Sequence, residues 1–200
     1  MKNDFIDNAT TSLDGHVLVK DMDSGEVLLD KHNAINYLNV AKAIASLFSG
    51  RIDEQTGTGY GITTIAYGNG GSIVDETTGG LQYRAPNTDT TTGQLHNKTY
   101  EKSVANVDTD NKIDVQFFEN QPYSDVIITS TLDYSEPNGQ QDLDNAIEFE
   151  GDYVFDEIGL KTGSTADDGI FLTHLTFHPI QKSANRKIQI IYTLRIKAGG

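Results

Sequence analysis

The sequence predicts a mainly β domain, a β-sandwich-like fold of about seven strands with one flanking α-helix and long loops. Near the C-terminus, apolar residues alternate with polar ones, as in a strand with one buried face. The apolar members of this run are Ile188, Ile190, Tyr192, Leu194 and Ile196. Only residues 33–48 repeat their apolar positions every three or four residues, as a helix does. The other apolar runs are short and are separated by polar, glycine-rich segments, which is typical of strands joined by turns.

The first elements are a hairpin and the helix. Residues 16–19 and 26–30 are predicted strands, and the polar residues 21–25 form the turn between them. In the helix, Asn33 is the predicted N-cap and Gly50 the glycine that ends it. The helix face predicted to pack on the sheet consists of Ile35, Leu38, Ala41, Ala45 and Phe48, widened by Ile44 and Leu47.

The rest of the chain alternates strands with turns and loops. Further strands are predicted at residues 62–67, 112–118, 125–133, 152–160 and 170–177. The glycines of residues 68–71 indicate a tight turn that needs positive φ. They do not form a phosphate loop, because neither a Lys-Ser/Thr pair nor a helix follows them. Residues 75–100 are rich in Thr, Asn, Asp and Gly, and we expect this long loop to reach a neighbouring subunit.

One domain accounts for the length of the chain. Residues 1–12 are a predicted flexible N-terminal arm, and residues 13–200 a single β-rich structural domain. The chain has no cysteine, so its stability is expected to come from packing or from neighbouring subunits. The N-terminus lacks the apolar core of a signal peptide, and no apolar run reaches the length of a membrane span. We therefore expect a protein made in the cytoplasm that has no membrane partner.

The charge distribution argues against a nucleic-acid partner and suggests self-association. The net charge of −14 disfavours binding to phosphate backbones. Residues 101–150 hold twelve acids and two bases, whereas residues 181–200 hold five bases and no acid. An acidic flank that meets the basic flank of the next subunit is a head-to-tail contact, which closes into a ring when the rotation permits. The plainer interpretation is a solubilising acidic surface with a basic edge strand. The residues expected at the subunit interface are Lys182, Arg186, Lys187, Arg195, Asn87 and Asp89.

No catalytic, cofactor-binding or metal site is predicted, and no cofactor is expected. His174 and His178 are four residues apart in a predicted strand, which separates them by about 13 Å, too far to share a metal. Two groups of acids resemble calcium loops but lack the complete ligand set, and we interpret them as turn residues. These groups are Asp21 with Asp23, and Asp108 with Asp110 and Asp114. Neither a nucleophile elbow nor a carboxylate pair framed by aromatic rings is present.

Five segments resemble a family of structural proteins of contractile-tailed phages: residues 14–19, 26–35, 67–71, 155–160 and 172–182. The resemblance implies a non-enzymatic virion component that is assembled in the host cytoplasm. One compact β domain, long loops, no fibre-like repeat and separated charges favour a ring-forming neck or collar protein at the head–tail junction. Its expected partners are further copies of itself and neighbouring neck or tail proteins. A tail, baseplate or capsid decoration subunit and a carbohydrate- or receptor-binding β-sandwich module remain open, with a metal-dependent hydrolase the weakest alternative.

Overall fold

A computed structural model describes residues 10–50, 59–90, 92–104, 108–137, 154–163 and 169–199. The described residues form twelve strands and one helix. In chain order the elements are β1 (Thr10–Asp21), β2 (Val27–His32), β3 (Ala34–Ile35), α1 (Tyr37–Ser49), β4 (Ile62–Gly68), β5 (Ser72–Val74), β6 (Leu81–Tyr83), β7 (Lys98–Ser103), β8 (Lys112–Phe117), β9 (Tyr123–Leu132), β10 (Val154–Thr162), β11 (Thr173–Gln181) and β12 (Ile188–Gly199).

The strands form two five-stranded antiparallel sheets and a small hairpin. The first sheet has the order β2-β1-β12-β9-β8, the second the order β3-β11-β10-β4-β7, and β5 pairs with β6. One core of buried apolar residues joins both sheets. Across it, the Tyr192 hydroxyl of the first sheet donates to Thr173 Oγ1 of the second at 2.7 Å. The mainly β, sandwich-like fold with one helix is therefore confirmed for the described residues. The strands that the sequence pattern did not predict are β3, β5, β6 and β7, which are short or polar.

Strand β12 is central in the first sheet, between β1 and β9. Its inner face follows the predicted alternation, because Ile188, Ile190, Tyr192 and Leu194 are all buried. Ile196, the last member, is 37% exposed. The basic C-terminal segment is thus a central strand with two neighbours and not a sheet edge.

The predicted N-terminal hairpin is confirmed as β1 and β2, which pair around the turn at residues 21–25. Thr10, Thr11 and Ser12 were assigned to the flexible arm, but they belong to β1, and Thr10 lies opposite Gly199 of β12. Residues 1–9 of the predicted arm lie outside the described residues. Within the described part of the chain, no helix combines the length and the apolar character that crossing a membrane requires.

The helix is confirmed, but the predicted N-cap at Asn33 is wrong. The chain first adds the short strand β3 to the second sheet, and α1 then begins after Asn36. The Asn36 side chain accepts the backbone N–H of Asn39 at 3.1 Å, which is how an N-cap residue satisfies an otherwise free donor. The helix ends as expected at Gly50, whose φ of 63° suits a glycine.

The predicted buried face of the helix is also wrong. Val40 and Ala43 face the sheets, whereas Leu38 and Phe48 are 52% and 90% exposed. A buried amide sets this rotation: Asn39 donates to the carbonyl oxygen of Phe171 at 2.8 Å. Because apolar residues occur on both sides of α1, the helical period alone could not choose between them. The solvent-facing residues form what we call the outer stripe, namely Leu38, Ala41, Ala45 and Phe48.

Residues 84–90 and 92–97, which we call the 84–97 segment, lie over the second sheet, and the glycine turn after β4 packs beneath them. Gly68, Gly70 and Gly71 do not have positive φ, so the predicted reason for these glycines is wrong. Close approach requires them instead. A Cβ on Gly68 would lie 2.4 Å from the carbonyl oxygen of Asn97, and one on Gly71 would lie 2.4 Å from that of Asp156. The expected 75–100 loop is thus partly the hairpin β5–β6 and partly a segment bound to its own sheet.

Candidate functional site

Three residues on the outer face of the second sheet form a cluster with the chemistry of a site. Glu157 lies in β10, His174 in the neighbouring strand β11, and His96 just before β7. One ligand-type atom from each lies within 4.8 Å of the others. Glu157 and His174 are buried and His96 is half-buried. We refer to these three residues as the carboxylate cluster.

The Glu157 carboxylate accepts four hydrogen bonds. Oε1 accepts the backbone N–H groups of Gly70 at 3.1 Å and Asn97 at 2.7 Å. Oε2 accepts the backbone N–H of His96 at 2.8 Å and Nε2–H of His174 at 2.9 Å. A buried carboxylate is tolerated when donors surround it in this way. Glu157 therefore holds the glycine turn and the end of the 84–97 segment to the sheet.

The hydrogen bonds of His174 assign its proton. Its Nδ1 faces the backbone N–H of Asn87 at 2.8 Å and accepts from it, so Nε2 carries the proton that is donated to Glu157. A metal ion on Nε2 would force the proton onto Nδ1, and this Nδ1–H would then face the N–H of Asn87, donor against donor. His96 Nε2 lies 2.9 Å from the carbonyl oxygen of Ala85 and donates to it. The geometry thus fits a structural hydrogen-bond network better than a metal centre.

The neighbouring carboxyl groups of Asp156 and Glu157 are shifted in opposite directions. Burial alone raises the pKa of Glu157, but the bonds from His174, Asn97 and His96 outweigh it, and the pKa lies below its ordinary value. Burial dominates for Asp156 and raises its pKa. Asp156 accepts the N–H of Gly71 at 2.7 Å and the hydroxyl of Ser72. The charged form is therefore stabilised at one of these positions and disfavoured at the other.

Sequence reasoning considered His174 only with His178 and missed this cluster. His178 lies further along β11, is exposed, and bonds the hydroxyl of Tyr83 at 3.2 Å. The available signal was the pair Asp156-Glu157 inside the otherwise apolar run of residues 154–160, because buried acids need partners. Those partners come from segments distant in the chain, which the strand pattern does not reveal.

The basic residues expected at a subunit interface have partners within the chain. Lys182 is 0% exposed, and its ammonium donates to the carbonyl oxygens of Asp133 and Ser183 at 2.9 and 3.1 Å. The remaining bases form ion pairs on the folded chain. These are Arg186 with Asp21 at 2.7 Å, Lys187 with Asp133 at 3.4 Å, and Arg195 with Asp125 at 2.7 Å. The separation of charge along the sequence is therefore partly neutralised by folding.

Asn87 and Asp89, the other expected interface residues, lie in the 84–97 segment. The backbone of Asn87 is bound to His174, and its side chain donates to the carbonyl oxygen of Gln94 at 3.3 Å. Asp89 is exposed. The structure does not bring these two residues together with the basic residues into one contact, and the interface assignment stays a prediction.

The turn acids hold backbone groups. Asp21 Oδ1 accepts the N–H groups of Asp23 and Ser24, both at 2.9 Å. The N–H of Ser24 and the guanidinium of Arg186 lower the pKa of Asp21 to about 2. Asp108 accepts the N–H groups of Asp110 and Asn111 at 2.8 and 3.1 Å. Asp21 and Asp108 thus each close a turn, as interpreted from the sequence, whereas Asp114 is not a turn residue but lies in strand β8 and pairs with Lys112 at 2.7 Å.

A second candidate site is an apolar cavity at one end of the sandwich. Its volume is about 610 Å³. The inner face of the first sheet forms one wall, with Leu13, Val126 and Leu194 among its residues, and α1 forms the opposite wall through Val40, Ala43 and Leu47. The rest of the wall comes from the second sheet and the segments beside it, with Ile62, Thr63 and Leu172 among its residues. The sequence analysis did not predict this cavity, because it assigned the wrong face of the helix to the core.

Comparison of the chain with protein-family models, with curated proteins and with solved structures finds no match. The function is therefore argued from the geometry of the chain and from the resemblance of its segments.

Proposed function

We propose that this protein is a non-enzymatic structural protein of a contractile-tailed phage virion, a homo-oligomeric neck or collar component at the head–tail junction. The observation that carries the proposal is the outer stripe of α1. Leu38, Ala41, Ala45 and Phe48 share one side of the helix and face solvent in the single chain. An apolar helix face of this kind is typical of a surface that a neighbouring subunit covers.

The chemistry of the carboxylate cluster supports a structural role. Both oxygens of Glu157 and both nitrogens of His174 are engaged in hydrogen bonds inside the chain. A general acid or base needs an atom that is directed at a substrate. Here the same atoms hold the segments around the second sheet in place, as a rigid building block requires.

The proposed contact is mainly apolar. The bases of the C-terminal segment already pair with acids of the same chain, so they contribute less to a charged head-to-tail joint than their spacing in the sequence suggested. An aromatic anchor such as Phe48 at the centre of a contact supplies much of the binding free energy in protein interfaces. We therefore expect the assembly to persist when salt is raised, whereas an electrostatic ring would weaken through screening.

The test is self-association of the purified chain, measured by sedimentation velocity over a range of concentrations. Phe48→Glu places a charge in the outer stripe and should abolish the oligomer while the circular dichroism spectrum stays unchanged. Val74→Glu is the matched control, because Val74 is also exposed but lies in the hairpin strand β5. A wild-type chain that stays monomeric at high concentration, or an oligomer that tolerates Phe48→Glu, would contradict the proposed contact.

The position in the virion needs a separate test. Antibodies against the protein should label one site on tailed phage particles, at the junction of head and tail. Labelling of the baseplate or the capsid would keep the structural role and change the location. Glycan binding by a monomeric chain without labelling of particles would instead favour the receptor-binding alternative.

A further inference from the structure

The apolar cavity between α1 and the first sheet is too large to be an ordinary packing defect. Protein interiors contain few voids larger than a water molecule, whereas this cavity has about 610 Å³. Pockets that hold small molecules have volumes of roughly 300–1,000 Å³. The cavity is therefore of the size at which a ligand is accommodated.

The chemistry of the wall excludes a polar ligand from the interior. The lining side chains are aliphatic except for Tyr60, Thr63 and Thr173. Thr173 Oγ1 accepts from the Tyr192 hydroxyl and from the N–H of Leu160, and Thr63 donates to the carbonyl oxygen of Gly163. A polar ligand would lose its hydrogen bonds to water on entry and find little in exchange.

The same wall disfavours a peptide segment as the occupant. An inserted backbone brings one N–H and one C=O per residue, and each needs a partner when it is buried. The wall of the first sheet is a sheet face, formed by side chains of β1, β8, β9 and β12, whose backbone groups pair with one another. An alkyl chain has no such requirement and gains free energy from every methylene that it buries.

The helix places a cation beside the cavity. Lys42 is exposed, and its ammonium lies 5.6 Å from the ring centroid of Tyr60, which is one of the lining residues. Leu47 and Val115 line the cavity and are also exposed, so they mark where it opens to solvent. An anionic head group beside Tyr60 would meet the Lys42 ammonium while its chain stays inside.

We propose that this cavity binds a single-chain amphiphile with an anionic head group, such as a fatty acid, with the alkyl chain between α1 and the first sheet and the carboxylate near Lys42. The inference goes beyond the structural role and does not depend on it, because the cavity and the outer stripe use opposite sides of the helix. Assembly and ligand binding can therefore be tested separately on the same chain.

The experiment is calorimetric titration of the full chain with dodecanoate below its micelle concentration. We expect one saturable site, and an affinity that rises about threefold to fourfold for each methylene added between octanoate and dodecanoate. Ala43→Met extends a side chain into the cavity and should weaken binding by about tenfold or more. Ala41→Met is the matched control, since Ala41 lies on the outer stripe, and its affinity should stay within about twofold of wild type.

Two further arms keep the test decisive if Ala43→Met fails to fold. Val115→Glu adds a carboxylate at the exposed opening and should repel dodecanoate without disturbing the core. Lys42→Glu should weaken dodecanoate but not dodecyltrimethylammonium, whose head group is cationic. The proposal would be overturned if dodecanoate bound equally well to wild type, Ala43→Met and Val115→Glu. It would also be overturned if wild type showed no saturable binding of dodecanoate. Dissociation of an oligomer in step with dodecanoate binding would assign the cavity to a second copy of the chain and would also overturn it.

Discussion

Replacing Glu157 by Gln should destabilise the fold through two unpaired donors. The substitution changes one of the two carboxylate oxygens into an NH₂ group while size and shape stay nearly constant. If the amide oxygen replaces Oε1, the NH₂ group faces the N–H of His96 and Nε2–H of His174. If the amide is flipped, its NH₂ group faces the N–H groups of Gly70 and Asn97 instead. In either orientation one buried donor and one part-buried donor lose their acceptor.

An unsatisfied buried donor costs about 1–3 kcal/mol and a part-buried one less, so Glu157→Gln should lower the free energy of unfolding by about 1–4 kcal/mol. The free energy of unfolding of a folded protein is typically about 5–15 kcal/mol. A loss of this size is therefore readily measured by urea denaturation at pH 7, followed by circular dichroism. The isosteric control is Asp156→Asn. An Asn there can accept from the Gly71 N–H and donate to the Ser72 hydroxyl while it removes a disfavoured charge, so it should not lower the free energy of unfolding.

The pH dependence gives an independent check of the same reasoning. The pKa of Glu157 is lower in the folded chain than its ordinary value near 4.5, so its contribution is complete above that value and is lost as pH falls through the folded-state pKa. The difference in the free energy of unfolding between wild type and Glu157→Gln should therefore become smaller in acid. Asp156 has a raised pKa, so its charge costs stability at neutral pH and the cost disappears in acid. A Glu157→Gln variant that unfolds at the wild-type urea concentration would refute the assignment of these hydrogen bonds.

Two further predictions concern the helix and the glycine turn. Val40→Ala should lower the free energy of unfolding by about 1.5 kcal/mol, because two buried methyl groups are lost, whereas Leu38→Ala should lower it by less than about 0.5 kcal/mol, because Leu38 is half exposed. Thermal unfolding of both variants measures the difference. A larger loss for Leu38→Ala would mean that the helix packs with its other face on the sheets. Gly71→Ala should be strongly destabilising, since the added Cβ would lie 2.4 Å from the carbonyl oxygen of Asp156. Gly79→Ala should show only the smaller strain of its positive φ, because its Cβ would meet nothing within 4 Å. Equal melting temperatures for the two variants would argue against close approach at Gly71.

The fold class and the position of most strands can be predicted from the sequence alone. Alternation in β12, the hairpin β1–β2 and the one helical period are local patterns, and the local side-chain period reports which backbone conformation a segment adopts. The buried residues of β12 were identified for the same reason, because a strand has only two faces and one of them is polar here.

The buried face of the helix, the reason for the glycines and the residues of the carboxylate cluster became apparent only from the folded structure. Both sides of α1 carry apolar residues, and the rotation was set by the bond of Asn39 to Phe171, 132 residues away. Glu157 meets His174 across 17 residues and the backbone of His96 across 61. Such pairings depend on how the strands are ordered in the sheet and on which segment covers it. A local pattern carries no information on either, because loop closure between distant segments is decided by the packing of the whole domain.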